Sequence, residues 1–230
     1  MTPDGRRTWA RVLLAGAVAA IAGCRSGSVG RDGWITVACL GDSNTEGGSL
    51  YAAGDGWCEQ LERRLESPPW RTLNRGRSGA TACRTPRRPE SPSAPLDAED
   101  MLERTLEQDR PDVVILAFGT NDVILGCDAE ATLAAYRRML ARIALDGREG
   151  LVALVPPFLP PRPRRRRHPW DDRIDALNER LRREFRSTQI VDFASGMERA
   201  DYFADGVHIR PSGQLKRAEA TRAALARRRP

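Results

Sequence analysis

The sequence predicts an α/β fold of three layers, in which helices cover both faces of a five-stranded, mainly parallel sheet. The main observation is that apolar runs of strand length alternate along the chain with segments of helical periodicity. The runs are continuous, which is typical of strands buried on both faces. A chain of 230 residues has the length of one domain with a single sizeable core.

The predicted elements alternate as strand and helix from residue 35 onward. The apolar run Ile35–Leu40 predicts the first strand, and residues 57–66 place Trp and Leu at every fourth position, as on one face of a helix. Asp97 is a typical N-cap, and Pro111 lies beyond the end of its helix. Prolines exclude regular structure from 156–169. The predicted strands are 35–40, 70–73, 112–118, 151–155 and 189–193, the predicted helices are 57–66, 97–108, 128–145, 171–185 and 212–227, and 84–95 is a predicted loop.

The N-terminal segment has the composition of an export signal. Three arginines precede the apolar stretch Val12–Ala22, which is too short to span a bilayer, and small residues lead into Cys24. This ending resembles the lipobox of bacterial lipoproteins, in which the cysteine is lipidated. We therefore expect a signal peptide at 1–23, a lipidated cysteine and linker at 24–33, and the domain at 34–230, anchored by lipid at a bacterial membrane in the cell envelope. An ordinary secretory signal, a short uncleaved anchor and a twin-arginine export route remain alternatives.

Four cysteines follow Cys24, and an exported protein can keep them as disulfides. Cys39 lies inside the first strand and is expected to be a buried small apolar side chain. Cys83 and Cys127 each follow a presumed active-site loop, so a disulfide between them could join the two loops. Cys58 has no assigned partner. No spacing of cysteine and histidine residues indicates a metal site.

The formal net charge of +6 is concentrated in one segment. Arg162 and Arg164–Arg167 supply five positive charges, whereas a nucleic-acid-binding domain has a diffuse basic face, so we expect no nucleic acid partner. The segment could attract anionic lipid headgroups or acidic envelope polymers. The simpler interpretation, which we favour, is a solvated loop.

A serine and a distant Asp/His pair are the candidate residues for nucleophilic catalysis. Ser43 follows the first strand directly, and His208 lies three residues after Asp205, which places both on one turn. A serine hydroxyl needs a base to become a nucleophile at neutral pH. The other histidine, His168, lies in the Arg/Pro segment with no acidic residue shortly before it.

Four sequence blocks resemble those of the SGNH hydrolases, also called GDSL esterases and lipases. In chain order they are Gly41-Asp42-Ser43-Asn44-Thr45, Asn74-Arg75-Gly76-Arg77-Ser78-Gly79, Gly119-Thr120-Asn121-Asp122 and Asp205-Gly206-Val207-His208. The resemblance extends from about residue 35 to the last helix, and it implies a flavodoxin-like sheet with the blocks at the ends of its strands.

The resemblance also implies a role for each block. Ser43 would be the nucleophile, His208 its base and Asp205 the residue that orients the base. The N–H of Gly76, the side-chain amide of Asn121 and the N–H of Ser43 itself would form the oxyanion hole. We expect the neighbouring aspartates, at positions 42 and 122, to be structural.

These observations predict a serine esterase that needs no metal or cofactor. It would act through an acyl-enzyme on small acyl esters of carbohydrates or on lysophospholipid-like lipids. The alternatives are an envelope acyltransferase with the same three residues and a non-catalytic module that binds anionic polymers.

Overall fold

The predicted parallel sheet is present in the structure. The computed structural model describes residues 33–48, 50–84, 97–159, 168 and 170–228. Five strands pair in the order β2-β1-β3-β4-β5, and every pair is parallel. The strands are β1 Ile35–Gly41, β2 Trp70–Gly76, β3 Val113–Ala117, β4 Glu149–Ala153 and β5 Ile190–Val191.

Seven α-helices in the described ranges accompany the sheet. They are α1 Ser43–Glu46, α2 Trp57–Glu62, α3 Ala98–Gln108, α4 Thr120–Leu125, α5 Ala129–Leu145, α6 Asp171–Glu184 and α7 Pro211–Ala226. Short 3-10 helices lie at Ser187–Gln189 and Arg199–Asp201. Among the residues that the structure describes, no helix has the length and apolarity needed to cross a membrane.

Two hydrophobic cores lie on the two faces of the sheet, which confirms the three-layer α/β/α architecture. Alternate residues of β1 divide between them, with Leu40 in the first core and Val37 in the second. Leu102 of α3 packs in the first core together with residues of α5 and α6. Leu61 of α2 packs in the second core with Ala218 of α7. The central strands β1 and β3 are continuously apolar because both of their faces are covered, whereas the edge strand β2 is only partly buried.

Several helix boundaries follow from side-chain caps. The carboxylate of Asp97 accepts the N–H of Glu99 at 2.9 Å, which confirms it as the N-cap of α3. The last strand is shorter than predicted because the Asp192 side chain accepts the N–H groups of Ala194 and Ser195 and turns the chain. The short helices α1 and α4 were not predicted, since each contains too few residues to show a periodicity.

The cysteines of the domain are paired in two disulfides. Cys83 and Cys127 form the hypothesised bridge, with Cα atoms 6.5 Å apart. Cys39 is fully buried as expected, but it is bonded to Cys58, so the interpretation of it as only a small apolar side chain was wrong. The reason is that Cys39 points to the face of the sheet that α2 covers, and Cys58 lies on α2.

The sheet register places the loops of the site side by side. Gly41 at the end of β1 pairs with Gly76 of β2 and with Ala117 of β3. The carboxyl ends of these three strands are therefore level, at the edge where ligands bind in parallel sheets. The predictions for the signal peptide, for Cys24 and for the arginines at 162–167 lie outside the described residues.

Candidate active site

Ser43 is held at a sharp turn between β1 and α1. The Asp42 side chain caps α1 by accepting the N–H of Asn44 at 2.9 Å. A Cβ atom on Gly41 would collide with the Thr45 side chain and lie 2.7 Å from the carbonyl oxygen of Ala117. Only glycine leaves α1 room to begin directly above the strand, and this presents Ser43 at the edge of the sheet.

The structure brings the three predicted residues of the Ser/His/Asp set together. Ser43 Oγ lies 3.0 Å from Nε2 of His208, and Nδ1 of the same ring lies 2.7 Å from Oδ2 of Asp205. With Nδ1 protonated and donating to the carboxylate, Nε2 has a free lone pair for the serine proton. The arrangement therefore matches that of a nucleophile, a base and an orienting acid.

Asp205 is fixed in its ionised form by its surroundings. Partial burial works against ionisation, but hydrogen bonds from the His208 ring and from the N–H groups of Val207 and His208 hold the pKa of the Asp205 carboxyl below its usual value. The two N–H groups both donate to Oδ1, at 2.9 Å. Oδ2 is left to bind the imidazole, so the carboxylate can stabilise an imidazolium.

Asn44, which sequence reasoning did not single out, joins the serine turn to the histidine loop. Its Oδ1 accepts the N–H of Ile209 at 2.9 Å, and its Nδ2 donates to the carbonyl of Val207 at 3.3 Å. These bonds hold the residues on both sides of His208. The only signal in the sequence is the position of Asn44 in the first block.

A buried arginine lies beneath the serine turn and was also missed. Arg217 of α7 donates from Nη1 to the carbonyl of Asn44 at 2.8 Å, and its guanidinium lies 4.4 Å from the ring centroid of Phe193. Burial lowers the pKa of Arg217 to about 10, so the group is charged at neutral pH. A polar residue within an apolar helix face is a weak signal, since long side chains often reach solvent from such positions.

Asp42 shares this buried environment with Arg217. Burial raises the pKa of the Asp42 carboxyl, and the opposite charge of Arg217 works against that rise. Both side chains line a cavity of about 10 Å³, close to the space that one water molecule needs. The expected structural role of Asp42 is confirmed by its cap on α1.

Asn121 lies at the start of α4, next to the loop that follows β2. Its Nδ2 donates one hydrogen to the carbonyl of Ala80 at 3.0 Å. This bond orients the amide and leaves the second hydrogen of the NH₂ group available. Gly119 precedes α4 with φ +116°, a conformation that suits glycine, so the turn sets where α4 begins.

Asp122 ties the same loop to α4, which confirms the expected structural role. Its carboxylate accepts the N–H groups of Ala82 at 3.1 Å and Cys83 at 2.7 Å, and burial raises its pKa to about 6. The Cys83–Cys127 disulfide joins the loop and the end of α4 a second time. These two sulfurs and the carboxylate are close enough for a metal ion, but the disulfide occupies both sulfurs.

Gly76 does not have the free N–H that an oxyanion donor needs. That N–H donates to Oδ1 of Asn74 at 3.0 Å, which contradicts the predicted role. The absence of a side chain serves packing instead, because a Cβ atom would collide with the N atom of Glu46 and lie 2.6 Å from the carbonyl carbon of Thr45. The glycine is required for contact between β2 and α1.

His168 belongs to a separate aromatic cluster and is not the base. Its Nδ1 accepts the N–H of Trp170 at 3.3 Å, and its ring meets Phe158 edge to face with centroids 5.4 Å apart. Its place in this cluster is a packing role.

A Ser/His/Asp set at the carboxyl edge of a parallel sheet defines the class of α/β serine hydrolases. The chain belongs to the GDSL-like lipase/acylhydrolase family, whose model matches residues 39–216. The enzyme class expected from the sequence, a hydrolase of ester bonds, is thereby confirmed. A comparison with curated proteins gives no match.

Solved structures of esterases share this fold. A protein from Agrobacterium tumefaciens, provisionally described as an arylesterase, is 24% identical with a TM-score of 0.68, covering 84% of this chain and 99% of its own. A carbohydrate acetylesterase from Sinorhizobium meliloti is 18% identical with a TM-score of 0.66, covering 84% and 99%. The aryl esterase of M. smegmatis is 18% identical with a TM-score of 0.65 and the same coverage.

Proposed function

We propose that this protein is a serine esterase that hydrolyses small acyl esters of carbohydrates or of lysophospholipid-like lipids through an acyl-enzyme. The observation that carries the proposal is the chain of contacts from Ser43 Oγ to His208 Nε2, at 3.0 Å, and from His208 Nδ1 to Asp205, at 2.7 Å. The carbohydrate acetylesterase of the same fold supports the choice of a small acyl group on a carbohydrate.

In the first half-reaction His208 takes the proton of Ser43 as Oγ attacks the ester carbonyl. General-base help of this kind accelerates a reaction by about 100- to 10,000-fold. The alcohol then leaves with the proton from His208, and the acyl group stays on Ser43 as an ester. In the second half-reaction His208 takes a proton from water as the water oxygen attacks the acyl carbon. The bond from that carbon to Ser43 Oγ then breaks, and His208 returns the proton to Oγ as the acid leaves.

The negative oxygen of each tetrahedral intermediate needs fixed donors. The N–H of Ser43 and the second amide hydrogen of Asn121 are two of them. We assign the third donor to Gly79 and not to Gly76. The N–H of Gly79 has no hydrogen-bond partner in the described ranges, and its φ is +79°. Gly79 directly precedes Ala80, whose carbonyl accepts the Asn121 amide, so the two donors belong to neighbouring parts of the site. Loss of one such donor costs about 100- to 1,000-fold in kcat.

Hydrolysis is favoured over acyl transfer because solvent reaches the base. The His208 side chain is 30% exposed, so a water molecule can approach it after the alcohol has left. Transfer products in excess over free acid, in an assay that contains a sugar acceptor, would support the acyltransferase instead.

The test is hydrolysis of p-nitrophenyl esters from acetyl to palmitoyl by the wild type, by Ser43→Ala and by Ser187→Ala. Ser187 is an exposed serine in a 3-10 helix and serves as the matched control. We expect Ser43→Ala to lose at least about 10,000-fold in kcat and Ser187→Ala to keep wild-type turnover. Wild-type turnover by Ser43→Ala would refute the mechanism, and the profile over chain length selects between acetylesterase and lipase.

We also propose that the enzyme is exported and held in the cell envelope by a lipid on Cys24. This proposal depends on the sequence of residues 1–33 alone. Detergent partitioning of the full chain should place the wild type in the detergent phase and Cys24→Ala in the aqueous phase. Equal partitioning of the two proteins would exclude the lipid anchor.

A further inference from the structure

A cavity of about 330 Å³ opens next to the loop that carries Asp205 and His208. It is lined by Arg199, Arg210 and Phe203 and by the two residues that flank Asp205 in the chain. Neither Ser43 nor His208 lines it, so it is separate from the reacting groups. Its volume lies at the lower end of the range for small-molecule sites and suits a molecule the size of a monosaccharide.

The two arginines of this cavity have no acidic partner among the residues that the structure describes. Both side chains are exposed, and neither forms an ion pair with any described carboxylate. The guanidinium of Arg210 lies over the ring of Phe203, 5.5 Å from its centroid. This cation–π contact orients Arg210 without neutralising its charge.

The carboxylates of the same segment are bound elsewhere. Glu198 and Asp201 form a reciprocal capping box, and Asp201 also accepts a hydrogen bond from Lys216 at 2.6 Å. Asp205 binds the ring of His208 and the backbone. The charge of the two arginines is therefore uncompensated at the cavity, where a ligand could neutralise it.

We propose that this cavity binds an anionic group, a carboxylate or a phosphate, on a molecule of about monosaccharide size. The planar fork of a guanidinium binds both groups through paired hydrogen bonds. Ala204 and Gly206 of the cavity lining flank Asp205 in the sequence, so the cavity adjoins the loop that carries the residue orienting the base. The binding does not depend on the proposed hydrolysis.

The test is calorimetric titration of the full chain with glucuronate and with glycerol phosphate, and with the neutral parents glucose and glycerol. We expect at least one anion to bind with a dissociation constant in the millimolar range, more weakly at high salt, and the neutral compounds not to bind. Arg199→Gln and Arg210→Gln should each weaken binding about tenfold. The matched control is Arg182→Gln, an exposed arginine of α6, which should bind as the wild type does.

The titration shows which anionic group the cavity prefers and whether the proposal stands. Binding of glucuronate alone identifies a carboxylate as the preferred group, and binding of glycerol phosphate alone identifies a phosphate. The proposal is overturned if neither anion binds at about 10 mM. It is also overturned if Arg182→Gln weakens binding as much as Arg199→Gln, or if circular dichroism shows folded variants with unchanged affinity. Because no turnover is measured, these results leave the proposed esterase function untouched.

Discussion

Replacing Arg217 by methionine should destabilise the fold by about 3 kcal/mol, although the residue makes no contact with the reacting atoms. Its Nη1 donates to the carbonyl of Asn44 at 2.8 Å and to Oε1 of Gln214 at 3.1 Å. Each such charged hydrogen bond contributes about 1.5–3 kcal/mol. Part of that gain is offset by the cost of burying the guanidinium, but the variant also leaves the buried Asp42 without an opposite charge.

The magnitude lies at the lower end of the range for a broken buried charge pair. Removal of one partner from a direct pair costs about 3–5 kcal/mol, whereas Asp42 and Arg217 interact without direct contact. Denaturant unfolding measures the difference. The matched control is Arg222→Met on the same helix, where the side chain is 51% exposed and the change should cost no more than about 0.5 kcal/mol.

A double variant tests the electrostatic part of this argument. Asp42→Asn combined with Arg217→Met should be less destabilised than the sum of the two single variants, because the unpaired charge is gone. The reasoning is refuted if Arg217→Met costs no more than Arg222→Met, or if the two single effects simply add.

Three further predictions concern stability. Gly76→Ala should cost about 3 kcal/mol in denaturant unfolding because its Cβ meets the backbone of α1, whereas Gly196→Ala, with open space around it, should cost about 1 kcal/mol. The pKa of the Asp122 carboxyl is about 6 in the folded protein against an ordinary 3.8, so its stabilising contribution is complete below pH 3.8 and is lost as the pH rises through 6. Over that range the free energy of unfolding of the wild type should fall by about 3 kcal/mol, a loss that Asp122→Asn should not show. Parallel pH profiles of the two proteins would contradict this. Changing Cys83 and Cys127 together to serine opens a link across 44 residues and should cost about 4 kcal/mol; an unchanged unfolding midpoint would rule that out.

The sequence was sufficient for the strands and for the reacting residues. Continuous apolar runs such as Val113–Ala117 are directly visible, and a parallel sheet brings their carboxyl ends to one edge. Ser43, Asp205 and His208 could therefore be placed together without knowing any contact. Their contacts in the structure agree with that placement.

The oxyanion donor could not be chosen from the sequence because two glycines lie in the same block. The choice depends on which N–H is already bonded, and the bond from Gly76 to Asn74 is a matter of local geometry. The burial of Arg217 was hidden for a similar reason, since the aromatic rings around its guanidinium come from distant parts of the chain.

Asn44 has a consequence for when the enzyme becomes active. Its side chain bonds residues 207 and 209, which lie more than 160 positions further along the chain. The serine turn and Asn44 are made early in synthesis, but His208 and the backbone groups that Asn44 binds are made more than 160 residues later. Contacts between such distant residues form late in folding. A nascent chain therefore carries a serine without its base, and esterase activity reports that the last part of the domain has docked.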